Sequence, residues 1–251
     1  RSIARQSVLD DIAGSIPCLG ARMNSISPAN RSSFDSYDDS EVKIRRAAQG
    51  DEPGVLTDIY LEQSNMVIWK RELSETLKNS VDAFIKSNPN FQASMTVTPQ
   101  TVLSSLSESL GDSAQLELRE NVAQLVEMFC YLFELKRAGL RLTVLNRAMC
   151  PKFHIDRIPC RLVTTYQGIA TEWLPHQAVD RQKLGLGSNG KLDSESGLYK
   201  TANDIQQLNC GEVALLKGEL WEGNENAGLV HRSPALPAGE SRLLLTLDFS
   251  Y

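Results

Sequence analysis

This chain of 251 residues carries only three histidines, His154, His176 and His231, and all of them fall in its second half. One residue separates His154 from Asp156. On extended backbone, positions i and i+2 project to the same side, so this imidazole and this carboxylate can converge on one ion. His231 follows a Gly-rich turn and precedes the last apolar stretch of the chain. Two imidazoles and one carboxylate on one side of a metal make a facial triad, whose remaining coordination positions stay open. A bare His-x-Asp pair is common, and its histidine is more often solvated or packed in a core than bound to metal. Arg242 adds to the pair, standing eleven residues beyond His231 at the head of residues 243–249. A guanidinium in that place can grip a carboxylate with two parallel hydrogen bonds.

Other candidates surround this set. His176 follows Trp173-Leu174-Pro175 on a loop, where it is either a fourth ligand or proton shuttle or, by default, an exposed loop histidine. Cys150 and Cys160 flank the His-x-Asp pair, and a thiolate ligand would favour zinc. Plain buried thiols are the blander reading of both. Glu172 is a candidate acid or base at a pocket mouth, while Trp173 and Trp221 read as packing residues. Arg141, Arg147 and Arg161 either neutralise an anionic ligand or pair with acidic neighbours. A salt bridge from Arg161 to Asp156 would weigh against metal binding. Residues 185–190 are rich in glycine but lack the Gly-Lys-Ser/Thr ending and the following helix of a phosphate loop, which excludes nucleotide binding. No Gly-x-Ser-x-Gly nucleophile is present.

The elements that must position these residues divide the chain in three. Residues 1–50 are rich in Ser, Asp, Asn and Arg without either period, and read as a polar, partly ordered arm. Residues 51–139 read as mainly helical. Leu73, Leu77, Val81, Phe84 and Ile85 share one face over residues 72–86, and Thr98-Pro99 opens a second helix over 99–110. A third helix is expected over 114–138, with Gly139 as its stop. From residue 140 the pattern becomes strand-like, at 140–145, 160–166, 212–216 and 241–249, with a hairpin or flexible loop over 185–197. Helices first and antiparallel strands second make an α+β fold, with helices packed on a sandwich or barrel.

Composition narrows the function classes. Hydrophobic residues form 41% and charged residues 23%, as in an ordinary globular chain of this length. A net charge of -5 argues against a nucleic-acid surface. No apolar run approaches the roughly 18 residues of a membrane span; the best, at 125–135, is interrupted by Glu127 and Glu134. The five cysteines are scattered with no Cys-x-x-Cys pair, which fits a reducing, cytoplasmic compartment. The chain starts at Arg1 rather than Met, so a trimmed start is expected, and no signal peptide shows in the residues given.

The motifs carry a resemblance. Residues 209–218, Asn209-Cys210-Gly211-Glu212 followed by an apolar run, resemble the Gly-acid-apolar strand ahead of the distal histidine in double-stranded β-helix oxygenases. The order His-x-Asp, that strand, His231 and Arg242 is similar to the Fe(II)/2-oxoglutarate dioxygenase superfamily. More closely, Cys150-Pro151-Lys152-Phe153-His154-Ile155-Asp156, the stretch 160–168, Thr171-Glu172-Trp173-Leu174-Pro175 and His231-Arg232-Ser233-Pro234 resemble a bacterial domain family of unknown function. This resemblance spans roughly residues 140–251. It implies a jelly-roll or cupin-like barrel over 140–251, Fe(II) on His154, Asp156 and His231, and 2-oxoglutarate on Arg242. On the strand after the His-x-Asp pair, Thr164 and Tyr166 are then expected to help line the cosubstrate pocket, unless they are ordinary barrel residues. The substrate is a small molecule or a protein of unspecified kind. Association of that family with zinc homeostasis implies two other readings: zinc in a non-catalytic store or sensor, and a metal-chaperone GTPase as partner. A barrel that binds a small molecule without metal is the third alternative.

Overall fold

Strand and helix periods each settle into one layer. The computed structural model describes residues 44–110 and 116–250. Its strands, in chain order, are β1 (Arg46–Gly50), β2 (Ser64–Trp69), β3 (Gln92–Val97), β4 (Ala138–Leu145), β5 (Cys160–Gln167), β6 (Glu172–Leu174), β7 (Gln206–Gln207), β8 (Val213–Lys217), β9 (Val230–Arg232) and β10 (Arg242–Phe249). Seven of them form a large sheet in the order β1-β2-β8-β5-β10-β4-β3, and β7-β6-β9 form a small one. Among the described strands, only the β1–β2 pair is parallel. Among the described residues, no helix is long and apolar enough to cross a membrane.

Helices α1 (Glu75–Ser87), α2 (Val102–Leu110) and α3 (Leu116–Leu132) share a core with one face of the large sheet. Helix α1 begins at Glu75 rather than residue 72 because Ser74 caps it, its hydroxyl accepting from Leu77 N at 3.2 Å. Ahead of α2, Thr98 and Thr101 bond reciprocally, each hydroxyl accepting the other's amide N–H at 3.0 and 3.2 Å. That turn absorbs Pro99, so the helix starts later than expected. Helix α3 stops well before Gly139. Glu134 takes the left-handed conformation (φ 52), Leu135 N donates to Cys130 O, and Glu134 N donates to Tyr131 O. This is a Schellman ending with a glutamate where glycine is usual, and Gly139 lies within β4 instead.

The strand-like second half is confirmed in outline, but the first half contributes more strand than its sequence suggests. β2 and β3 come from the stretch read as mainly helical. Every residue of β2 is buried, so it shows an apolar run without alternation, which periodicity cannot separate from a buried helix. β1 comes from the end of the polar stretch, and residues 1–43 of that arm lie outside the described residues. Residues 185–197 form no hairpin. They wind through a 3-10 turn, Gly185–Ser188, into the one-turn helix α4 (Asp193–Ser196).

Alternation along β5 and β10 decides which side chains meet the helices. Cys160, Leu162 and Tyr166 on β5, with Leu243, Leu245 and Leu247 on β10, pack under the helices. Arg161, Val163 and Thr165, with Arg242, Leu244, Thr246 and Asp248, turn to the opposite face. The functional groups therefore lie on the sheet face away from the helices.

Because Glu134 sits where an L-residue strains, Glu134→Gly should raise the unfolding free energy by about 1 kcal/mol. Urea denaturation reads this as a higher midpoint at unchanged slope. An unchanged or lower midpoint would contradict the strain.

Candidate metal centre

The segment between β4 and β5 runs extended, and at His154 it pairs with β9. His154 N donates to His231 O and His231 N donates to His154 O, both at 3.0 Å, in an antiparallel bridge. Directly opposed residues of such a pair place their side chains on one face. The two imidazole centroids consequently stand 4.6 Å apart. Two residues on, Asp156 projects to the same side. Its Oδ1 lies 3.7 Å from His154 Nε2 and its Oδ2 3.4 Å from His231 Nε2. Close backbone packing sets its height: a Cβ on Gly218 would stand 2.6 Å from the Asp156 carbonyl oxygen, and Glu219 N donates to that oxygen at 3.0 Å.

The hydrogen bonds also choose the tautomer. His154 Nδ1 lies 3.0 Å from Lys152 O, and His231 Nδ1 lies 3.3 Å from Leu229 O. A carbonyl only accepts, so both rings carry hydrogen on Nδ1 and turn the Nε2 lone pair toward Asp156. Burial, and then the charge of His231, pushes His154 below the ordinary histidine range and favours the neutral ring. Burial alone would raise the Asp156 carboxyl, but when Nε2 is protonated as well, the His231 hydrogen bond and charge, with Arg161 and His154, outweigh burial and hold it at about 2; the two lone pairs face the carboxylate in the neutral rings. Two lone pairs and a carboxylate, all within 4.8 Å of one another, form a donor set that fits a divalent cation.

Arg161 does bond Asp156, its Nη1 donating to Oδ2 at 2.8 Å. Yet Arg161 also grips Asp248 with Nε and Nη2, at 2.7 and 2.8 Å. Two carboxylates against one guanidinium leave a negative charge at the histidines, and among the described residues Oδ1 accepts no hydrogen bond. Arg161 thus orients the carboxylate without consuming it.

A further layer holds both histidine segments together. Arg232, next to His231, bonds Glu172 Oε2 at 2.5 Å and Asp193 Oδ2 at 3.5 Å, and lies 4.3 Å over the Phe153 ring. The same Asp193 oxygen accepts from Phe153 N at 2.8 Å, one residue before His154. Helix α4 therefore ties the two ligand-bearing segments through one carboxylate.

Arg242 is 1% exposed and opens onto the pocket that also holds His154 and His231. Its partners are hydroxyls only: Thr165 (3.2 and 3.3 Å), Thr171 (2.7 Å) and Ser233 (3.2 Å). No carboxylate reaches it among the described residues. Burial alone brings it down to about 10.

The remaining expected residues fall elsewhere. Thr164 and Tyr166 lie on the helix side of β5, where the Tyr166 hydroxyl donates to Asn121 Oδ1 at 2.9 Å and burial raises it to about 12. On β5 it is Thr165, one residue on from Thr164, whose hydroxyl meets Arg242. Cys160 is likewise on the helix side and fully buried, which pushes its thiol up and leaves it away from the metal ligands. Cys150 is exposed and lines the pocket without joining the converging ligands. His176 sits on a 3-10 turn with Nδ1 3.1 Å from Arg181 Nη2, apart from the triad. Glu172 is the partner of Arg232 rather than a free acid or base. Thr171, Ser233, Asp193 and Asp248 were not singled out. Their roles come from contacts distant in sequence, whereas strict alternation from Arg161 would have pointed to Thr165.

Asp193→Ala should weaken Co(II) or Zn(II) binding by about tenfold, the lower end for loss of an outer hydrogen bond. Asp193→Asn keeps an acceptor for Phe153 N and should bind nearly as well. Competition with a coloured chelator measures both, with far-ultraviolet circular dichroism as the control for folding. Equal affinity for all three proteins would show that α4 does not position the ligands.

Comparison with known proteins places the chain. Among solved structures it is similar to the rice dioxygenase for auxin oxidation, at 12% identity and a TM-score of 0.46, covering 82% of each chain. The corresponding Arabidopsis thaliana enzyme, solved with 2-oxoglutarate, is 10% identical with a TM-score of 0.45, over 82% of this chain and 92% of that one. A Pseudomonas putida prolyl-4-hydroxylase is 11% identical with a TM-score of 0.43, over 78% and 96%. All three TM-scores fall below one half, so the functional reading rests on this chain's own residues. No curated relative matches it. A family match spans residues 50–248, most of the chain, and includes the triad and Arg242. The chain belongs to the family described as "Protein of unknown function (DUF1826)".

Proposed function

We propose that this protein is an Fe(II)- and 2-oxoglutarate-dependent oxygenase whose two sheets form a double-stranded β-helix. The observation that carries the reading is Arg242, a buried guanidinium without a carboxylate partner, in the same pocket as the triad. An uncompensated buried charge costs several kcal/mol, and an anionic ligand offsets it. 2-Oxoglutarate has two carboxylates, one for Arg242 and one, beside its keto oxygen, for the open side of the triad.

His154, Asp156 and His231 would hold the iron, with Arg161 keeping the carboxylate turned toward it. When bound, iron with 2-oxoglutarate and O₂ would supply oxidative decarboxylation of the cosubstrate to succinate and CO₂, coupled to oxidation of a substrate. The chain's own part is positional. The carbonyls of Lys152 and Leu229 keep both Nε2 lone pairs available, while Val163, Leu216 and Leu244 present an apolar wall that limits water. A closed zinc site wants a fourth protein ligand, and neither thiol nor His176 joins the triad, which favours iron over a zinc store. All four described cysteines are free, in keeping with a reducing cytoplasm.

Calorimetric titration of 2-oxoglutarate into anaerobic, Fe(II)-loaded protein tests this. Wild type should bind it and, once O₂ is admitted, consume it slowly without substrate, and Arg242→Ala should weaken binding about a hundredfold, as for truncation of a buried charge pair. His154→Ala and His231→Ala should lose the iron. Unchanged 2-oxoglutarate affinity in Arg242→Ala would overturn the assignment.

A further inference from the structure

Four guanidiniums line the pocket, and they are not equivalent. Asp248 and Asp156 hold Arg161, and Glu172 and Asp193 hold Arg232. Arg242 belongs to the cosubstrate in the reading above. Arg141 is left over: it is exposed and has no hydrogen bond or ion pair among the described residues, yet it borders the same pocket.

Its neighbour makes this more than a solvated surface charge. Arg141 on β4 pairs directly with Thr246 on β10, and both face the pocket. Thr246 is 8% exposed, and its hydroxyl is buried with no hydrogen-bond partner among the described residues. An unsatisfied buried hydroxyl costs about 1–3 kcal/mol unless a ligand or water meets it. Thr246 also pairs with Val163 on β5, two residues from the Arg161 that orients the metal-binding carboxylate. A free guanidinium and an unmet hydroxyl thus stand side by side on the floor of the pocket.

This pair is separate from the Arg242 subsite. Four residues along β10, about 13 Å of backbone at about 3.3 Å per residue, separate Thr246 from Arg242, whose guanidinium is held by Thr165, Thr171 and Ser233. With the 2-oxoglutarate carboxylates already assigned, Arg141 and Thr246 are open to another anion. One guanidinium and one hydroxyl match the two oxygens of a carboxylate, whereas a phosphate dianion calls for more donors.

We propose that Arg141 and Thr246 form the subsite for a carboxylate of the prime substrate, so that the substrate class is small organic acids. The inference rests on the oxygenase reading for its division of the pocket. The test uses Zn(II)-loaded protein, saturated with 2-oxoglutarate and inert to O₂, titrated by ligand-observed NMR. The probes are benzoate and hexanoate, their carboxamides, and methyl phosphate. The carboxylates should bind saturably without displacing 2-oxoglutarate, and the carboxamides should not. Arg141→Gln should weaken carboxylate binding about tenfold, as for loss of one charge-assisted hydrogen bond, with 2-oxoglutarate affinity unchanged. Thr246→Val should weaken it less. The proposal is overturned by equal binding of acids and amides, by no binding of either acid, by tighter binding of methyl phosphate, or by wild-type affinity in Arg141→Gln. Displacement of 2-oxoglutarate by the acids would also overturn it, by assigning them to Arg242. Repeating the titration without 2-oxoglutarate separates the two failures: if wild type never binds 2-oxoglutarate the oxygenase reading falls, while Arg141-dependent acid binding still decides the subsite.

Discussion

Two backbone hydrogen bonds between His154 and His231 are the constraint on which the site depends. They join a connecting segment to a three-residue strand, two pieces of chain with little regular structure of their own. Once paired, the two imidazoles have no choice but to lie on one face, and Asp156 follows by the parity of extended backbone. Everything around the bridge serves to keep it closed. Asp193 ties Phe153 to Arg232 on its outer side, Gly218 admits the Asp156 carbonyl below, and Arg161 fixes the carboxylate. A ligand set made this way is preorganised before any ion arrives, which spares metal binding the ordering of three side chains.

The large sheet separates structure from chemistry by alternation. On β10, the leucines at 243, 245 and 247 face the helices, while Arg242 and Thr246 face the pocket and Asp248 turns the same way to bond Arg161. One strand thereby supplies a buried guanidinium, an unmet hydroxyl and the anchor of Arg161, and adds a leucine to the core at each alternate position. Helices α1, α2 and α3 take part in the site only through this sheet, whereas α4 ties its ligand segments directly. Their aromatic cluster, Phe129 and Phe133 against Phe249, braces the end of β10 that holds Asp248.

How much of this was legible in the sequence follows from the scarcity of each signal. Three histidines in 251 residues made His154 and His231 conspicuous, and the spacing to Asp156 carried its own geometry. Arg242 stood out as a lone cation at the head of an apolar strand. Thr164 and Tyr166 were misplaced because β5 is buried on both faces, so no hydrophobic alternation marks which side is inward, and a one-residue error moves every side chain across the sheet. β2 was hidden for the same reason. The ties of Asp193 to Phe153 and of Glu172 to Arg232 join residues far apart in the chain and follow from no local pattern. Arg161 was seen as a threat to the metal site, and only the contact with Asp248 shows that it leaves a negative charge in place.

The central claim is that one pocket holds a metal on the triad and a dicarboxylate on Arg242. A crystal structure of anaerobic, iron-loaded protein with 2-oxoglutarate, with anomalous data at the iron edge, tests it most directly. The account predicts an anomalous peak bound by Nε2 of His154, Nε2 of His231 and the Asp156 carboxylate, with the far carboxylate of 2-oxoglutarate on Arg242. Iron at any other position, or 2-oxoglutarate with no contact to Arg242, would contradict it.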